Sequence, residues 1–168
     1  MKDTLKVVNE LKEKGLITDY AIGGGIATLF YIEPFLTYDL DMFIISAKRM
    51  RQKGVILLTD VFDYLRSKGY CWKEEHIIIE GVPVQFIPAD ELEKEAIERA
   101  RETEYEGVKT KVVNLEHLIA ILLRAGRRKD IEKVERLLEQ TEIDRKLLED
   151  ILKRFKLEEK FDALQRGK

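Results

Sequence analysis

The sequence predicts an α/β (α+β) fold, a sheet flanked by helices followed by a purely helical C-terminal part. Three observations lead there. Short apolar runs alternate with amphipathic stretches up to about residue 113. The run Asp39-Leu40-Asp41-Met42-Phe43-Ile44-Ile45 is apolar on both faces from Met42 onward, as an interior strand must be. After Asn114 there is no strand signal and no proline. The expected organisation is an α/β core over residues 1–113 with helices 114–168 packed on it.

In chain order, Leu5, Val8 and Leu11 recur at helical spacing between Thr4 and Lys14, and Gly15 stops that helix. Tyr20-Ala21-Ile22 reads as a strand that breaks into Gly23-Gly24-Gly25 and resumes as a helix from Ile26 to Tyr31, closed by Pro34. The interior strand over residues 39–45 follows. Val55, Leu58, Phe62 and Leu65 predict a helix from Val55 to Lys68, ended by Gly69. His76 to Glu80 and Val82 to Ile87, joined at Gly81, form a hairpin. A charged helix from Ala89 to Arg101 and a strand from Gly107 to Val113 complete the core. Asn114 caps a helix carrying Leu115, Leu118, Ile119 and Leu122, and Gly126 ends it. Lys129 to Gln140 and Asp144 to Arg166 are the remaining helices.

Lys+Arg 30 against Asp+Glu 32 leave a net charge of -2 over 168 residues, which excludes a broad basic field for sequence-independent nucleic-acid binding. One cysteine, Cys71, and two histidines argue against a disulfide framework and a Cys/His zinc site. With no signal-peptide pattern and no apolar run near the roughly 20 residues of a membrane span, the chain reads as cytoplasmic and free of membrane partners. Its Lys, Glu and Arg excess suggests a heat-adapted source.

Asp39 and Asp41 are the first candidates for chemistry. Two residues apart on a strand, they share a face and lie within reach of one divalent ion. Paired carboxylates beginning an apolar strand are costly unless a cation lies between them, and no Lys or Arg adjoins them in sequence. Mg²⁺, or Mn²⁺, meets that need with one or two carboxylates and substrate phosphates. The plainer alternative is a strand start with one solvated aspartate. Gly23, Gly24 and Gly25, opening onto a helix, leave backbone N–H groups free to cradle phosphate, although a triple glycine is also an ordinary tight turn. Arg124, Arg127, Arg128 and Lys129 form a basic corner between two helices, suited to phosphates or to solvent. Arg128 reads as solvated. Trp72 reads as packing, Cys71 has no neighbouring sequence feature that would activate its thiol, and His117 reads as exposed or as a local hydrogen-bond partner.

Together, Ile22-Gly23-Gly24-Gly25-Ile26-Ala27 and Thr37-Tyr38-Asp39-Leu40-Asp41-Met42 resemble the signature of the nucleotidyltransferase fold. The closer likeness is to AbiEii-type nucleotidyltransferase-like proteins, some of which are toxins of toxin–antitoxin pairs. Leu118 to Asp130 resembles a later helical motif of that group, so the likeness spans about residues 20 to 140. The resemblance implies a mixed sheet and two-metal phosphoryl transfer from a nucleoside triphosphate. Asp39 and Asp41 would be catalytic and hold Mg²⁺, and Gly23, Gly24, Gly25, Thr37, Arg127 and Lys129 would bind the nucleotide. The acceptor, whether protein, RNA or small molecule, is left open, and an antitoxin partner is implied. Thr37 serves equally as a β-branched strand starter. The chain departs from the family in three places. Gln85 stands where a third carboxylate is usual, with Glu80 as a substitute, while Phe35 and Leu122 replace an arginine and a lysine. Beside the enzyme stand a non-catalytic nucleotide-binding or interaction module, and a small helix-rich domain in which the aspartates are incidental.

Overall fold

The computed structural model describes residues 1–47, 51–52, 55–56 and 58–167. Its elements run α1 (Lys2–Glu13), β1 (Ile17–Ile22), α2 (Gly24–Thr28), β2 (Leu40–Ser46), β3 (Arg51–Gln52), β4 (Val55–Ile56), α3 (Thr59–Ser67), β5 (Cys71–Lys73), β6 (His76–Ile79) and β7 (Val82–Pro88). They continue with α4 (Glu91–Glu98), β8 (Arg101–Tyr105), β9 (Val108–Val112), α5 (Leu115–Ala125), α6 (Arg128–Gln140), α7 (Arg145–Arg154) and α8 (Glu158–Arg166). Seven strands form one mixed sheet in the order β5-β6-β7-β2-β1-β9-β8, and β3 pairs with β4 apart from it.

β2 lies at the centre of that sheet because both its faces are apolar: Leu40, Met42, Phe43 and Ile44 are all buried. It runs antiparallel to β1 and parallel to β7, with Asp41 in register with Gln85. Helices α1 and α4 pack against the sheet at β1, β2 and β9, and α5 packs on α4 and α2. From Leu115 to Leu123 every residue of α5 is buried, so it forms the core between the sheet and the helices after it. Its ends are fixed locally. The Asn114 side chain accepts a hydrogen bond from the His117 N–H (3.2 Å), and Gly126 closes the helix in a left-handed conformation at φ 65°. Two-residue turns with both φ angles positive, Glu80-Gly81 and Glu106-Gly107, join β6 to β7 and β8 to β9.

Several boundaries differ from expectation. The helix expected from Val55 starts at Thr59, because Val55–Ile56 pairs with Arg51–Gln52; Leu57 lies outside the described residues. The charged helix ends at Glu98, and Arg101 opens β8, an edge strand whose mostly exposed residues carry no apolar alternation to reveal it. β5 is exposed throughout and equally silent in sequence. The last helix is two, broken where Lys156 takes φ 56°. Among the described residues, no helix is long and apolar enough to cross a membrane.

His117 is fully buried rather than exposed. Its ring contacts Asn114 Oδ1 (2.6 Å) and Glu95 Oε1 (2.9 Å), and Arg154 clasps both Glu95 oxygens at 2.6 and 2.8 Å. This network ties α4, α5 and α7 together. Hydrogen bonding to Arg154, and then to His117, pulls the Glu95 carboxyl down to about 2. Because the folded value lies below the ordinary 4.5, its stabilising effect is complete above that pH and fades as pH falls toward 2. Glu95→Gln should therefore flatten the acid limb of stability between those values, measured by urea unfolding across that range.

Candidate active site

The site is built where the triple glycine meets β2. The Gly23 N–H donates to the Asp41 carbonyl (2.9 Å), which lays the turn against the strand. No side chain fits between them. A β-carbon on Gly24 would lie 1.7 Å from Asp41 Oδ2, one on Gly25 2.4 Å from Thr37 Oγ1, and one on Gly23 2.1 Å from the Phe43 ring. Gly24 also needs φ 54°, which other residues adopt at a cost. The first-turn N–H groups of α2 have no partner within the helix, and Gly25 of this turn lines the same cavity as Asp41.

The loop before β2 brings in further oxygen-bearing side chains. Thr37 and Asp39 line a cavity of about 90 Å³ together with Gly25, Asp41 and Gln85. Asp39 lies one residue before the strand rather than in it, and still shares the cavity with Asp41. The loop is held from behind by α6. Arg136 sits over the Phe35 ring at 5.0 Å and donates to the Glu33 carbonyl (3.2 Å), while the Glu33 N–H donates to Gln140 Oε1 (3.1 Å). The start of α6 lines the cavity from the other side with Arg127, Lys129 and Lys133.

The structure thus brings Asp39, Asp41, Gly25, Thr37, Arg127 and Lys129 to one cavity. Arg124 and Arg128 are elsewhere. Arg124 pairs with Asp90 (3.0 Å) and with the buried Glu93, and Arg128 is 95% exposed and pairs with Glu132. Glu80 points away, accepting from the Tyr70 hydroxyl (2.7 Å). Three lining residues were missed in sequence: Lys133, one turn beyond Lys129 on α6, Glu75 from the β5–β6 turn, and His76 at the start of β6. Helical spacing from Lys129 would have found Lys133. Nothing in sequence signals Glu75 or His76, because β5 itself is silent. His76 Nε2 lies 3.8 Å from Asp39 Oδ2. A larger cavity of about 520 Å³ lies beside α1, β8 and β9, but polar groups there satisfy one another, with the Tyr20 hydroxyl on Asn9 and Lys12 and Lys111 on Asp19.

Burial pushes the Asp41 carboxyl up, opposed first by Lys133 and then by Arg127, and among the described residues no hydrogen bond reaches it. A half-buried carboxylate without hydrogen-bond donors is one that a bound divalent ion would stabilise. The donor set of two carboxylates, an amide carbonyl and a hydroxyl is hard oxygen, which suits Mg²⁺ or Mn²⁺. Among the described residues no group of three or more His, Cys, Asp or Glu could hold a metal ion, so water or other oxygen ligands would complete the coordination of an ion held by Asp39 and Asp41.

The tight approach at Gly24 predicts a sharp contrast between glycines. Gly81→Ala, at φ 78° with nothing within 4 Å, should cost only about 1–2 kcal/mol of left-handed strain. Gly24→Ala should cost clearly more in thermal unfolding, because Asp41 must also move.

Residues 74–165 match the family described as nucleotidyl transferase of unknown function (DUF2204). Among solved structures, the chain resembles an antigenic nucleotidyltransferase-like protein from Paracoccidioides brasiliensis at 19% identity and TM-score 0.50, covering 98% of this chain and 93% of that one. It also resembles the solution structure of the antibiotic-resistance factor ANT(2'')-Ia at 18% identity and TM-score 0.53, covering 99% and 96%. No curated protein sequence matches. The mixed sheet and its helices have the nucleotidyltransferase-like fold, and the chain belongs to the nucleotidyl transferase family of unknown function that it matches over more than half its length.

Proposed function

We propose that this protein is a Mg²⁺-dependent nucleotidyltransferase that moves a nucleotidyl group from a nucleoside triphosphate to an acceptor hydroxyl. One observation carries the reading: two carboxylates, the last glycine of a side-chain-free turn and three cations from the start of α6 meet in one small polar cavity. In this reading residues 1–113 are the catalytic core, and residues 114–168 add the cationic wall. Asp39 and Asp41 would hold the divalent ion, which supplies Lewis-acid neutralisation of the phosphate oxygens. The glycine turn and Thr37 donate to the β- and γ-phosphates, and Arg127, Lys129 and Lys133 offset the charge that builds on departing pyrophosphate. The acceptor oxygen bonds to the α-phosphorus, the bond to the bridging oxygen breaks, and the hydroxyl proton passes to solvent. Asp41→Asn should abolish both Mg²⁺-dependent nucleotide binding and labelled transfer; binding that keeps its Mg²⁺ dependence in this variant would contradict the reading.

The cavity reads phosphate rather than base. Among the described residues its lining has no aliphatic side chain and no Phe, Tyr or Trp on which a base could stack. All four triphosphates should therefore bind with closely similar affinity in competition calorimetry. A strong preference for one base would show that recognition lies outside this cavity.

A second reading, nucleotide binding without transfer, is favoured by Gln85. It stands in register with Asp41 on β7, where it adds an amide carbonyl but neither charge nor base. Mg²⁺-dependent binding without pyrophosphate release from any acceptor would select that reading.

A further inference from the structure

We infer that Asp130 is a positioning residue that holds Arg127 and Lys133 in place for phosphate. This rests on the phosphate-binding reading and adds a role for a residue outside the cavity lining. Asp130 lies in the first turn of α6, three residues after the N-cap Arg127 and three before Lys133, within reach of both side chains. Asp130 is fully buried, and each of its oxygens takes one cation. Oδ2 accepts from Arg127 Nε (2.5 Å) and Oδ1 from Lys133 Nζ (3.1 Å), while the Asp130 N–H donates to the Arg127 carbonyl (2.8 Å). A buried carboxylate is tolerated only with such partners, so its own desolvation requires both cations to stay where they are.

The geometry leaves the useful part of each cation turned outward. Asp130 engages Arg127 through Nε, the Arg127 side chain remains 61% exposed at the cavity, and its two terminal nitrogens are left for a forked contact with phosphate. Lys133 is mostly buried and lines the same cavity. Long cationic side chains otherwise lose rotamer freedom when they bind a ligand, and Asp130 imposes that order beforehand. One element thus orders two cations opposite Asp39 and Asp41.

The sign of the effect separates this role from simple electrostatics. As a bare negative charge behind the cavity, Asp130 would oppose an anion, and its neutralisation would tighten binding. As a positioning residue it favours the anion, and its neutralisation loosens binding. The test is calorimetry of inorganic tripolyphosphate with Mg²⁺ on the full chain, with thermal unfolding of each variant. Asp130→Asn should bind about tenfold more weakly, the scale on which loss of a supporting partner weakens a held ligand. In an Arg127→Met/Lys133→Met background the same change should add little, because its partners are gone. Equal or tighter binding by Asp130→Asn, or full additivity with the double variant, overturns the inference and leaves the proposed function standing. If wild type binds no tripolyphosphate, both fall. Should Asp130→Asn fail to fold, Arg127→Lys decides. It keeps the charge but cannot bond Asp130 and present a fork at once, so unchanged affinity overturns the inference and about tenfold loss supports it.

Discussion

A turn without side chains, pressed directly onto the strand that carries Asp41, is the constraint on which the site depends. At Gly24 and Gly25 even a methyl group would overlap Asp41 and Thr37, so the distance between the turn and β2 is set by the absence of a β-carbon. That closeness lets the glycine turn and a carboxylate line one small space. It has an energetic consequence as well. The Asp41 carboxyl is partly desolvated and without a hydrogen-bond donor among the described residues, so the arrangement favours whatever brings positive charge to it.

Helix α6 supplies the opposite wall and organises the approach. Its first turns present Arg127, Lys129 and Lys133, and its later residues Arg136 and Gln140 grip the loop around Glu33 and Phe35 that leads to Thr37 and Asp39. Gly126, in a left-handed conformation, turns the chain sharply from the buried α5 into α6. Cations and carboxylates thus come from distant parts of the chain and are held in mutual register by one helix. The overall charge of -2 hides this separation of local charge.

The interior strand, the glycine turn, the β6–β7 hairpin and the capped α5 were legible in sequence because each rests on a local signal: two-faced apolarity, a glycine run, Gly81, and Asn114 with Gly126. The exposed strands β5 and β8 were not, since an edge strand without a buried face has no period-two pattern. The same gap concealed Glu75 and His76. Asp39, Asp41 and Arg127 stood out as residue types at suggestive spacing, whereas Arg124, equally basic, is drawn off by Asp90 and Glu93 on α4. A basic cluster in sequence does not say which of its members will find a carboxylate elsewhere. His117 became a buried tie between helices for a similar reason, as its partner Glu95 lies on another helix.

The most direct measurement of the central claim is a crystal structure grown with Mn²⁺ and a non-hydrolysable triphosphate, with the metal located by anomalous diffraction. The account predicts an anomalous peak between Asp39 and Asp41, with the triphosphate running from the glycine turn toward Arg127, Lys129 and Lys133. A triphosphate bound away from the two aspartates, or bound among the cations with no metal at the carboxylates, would contradict it.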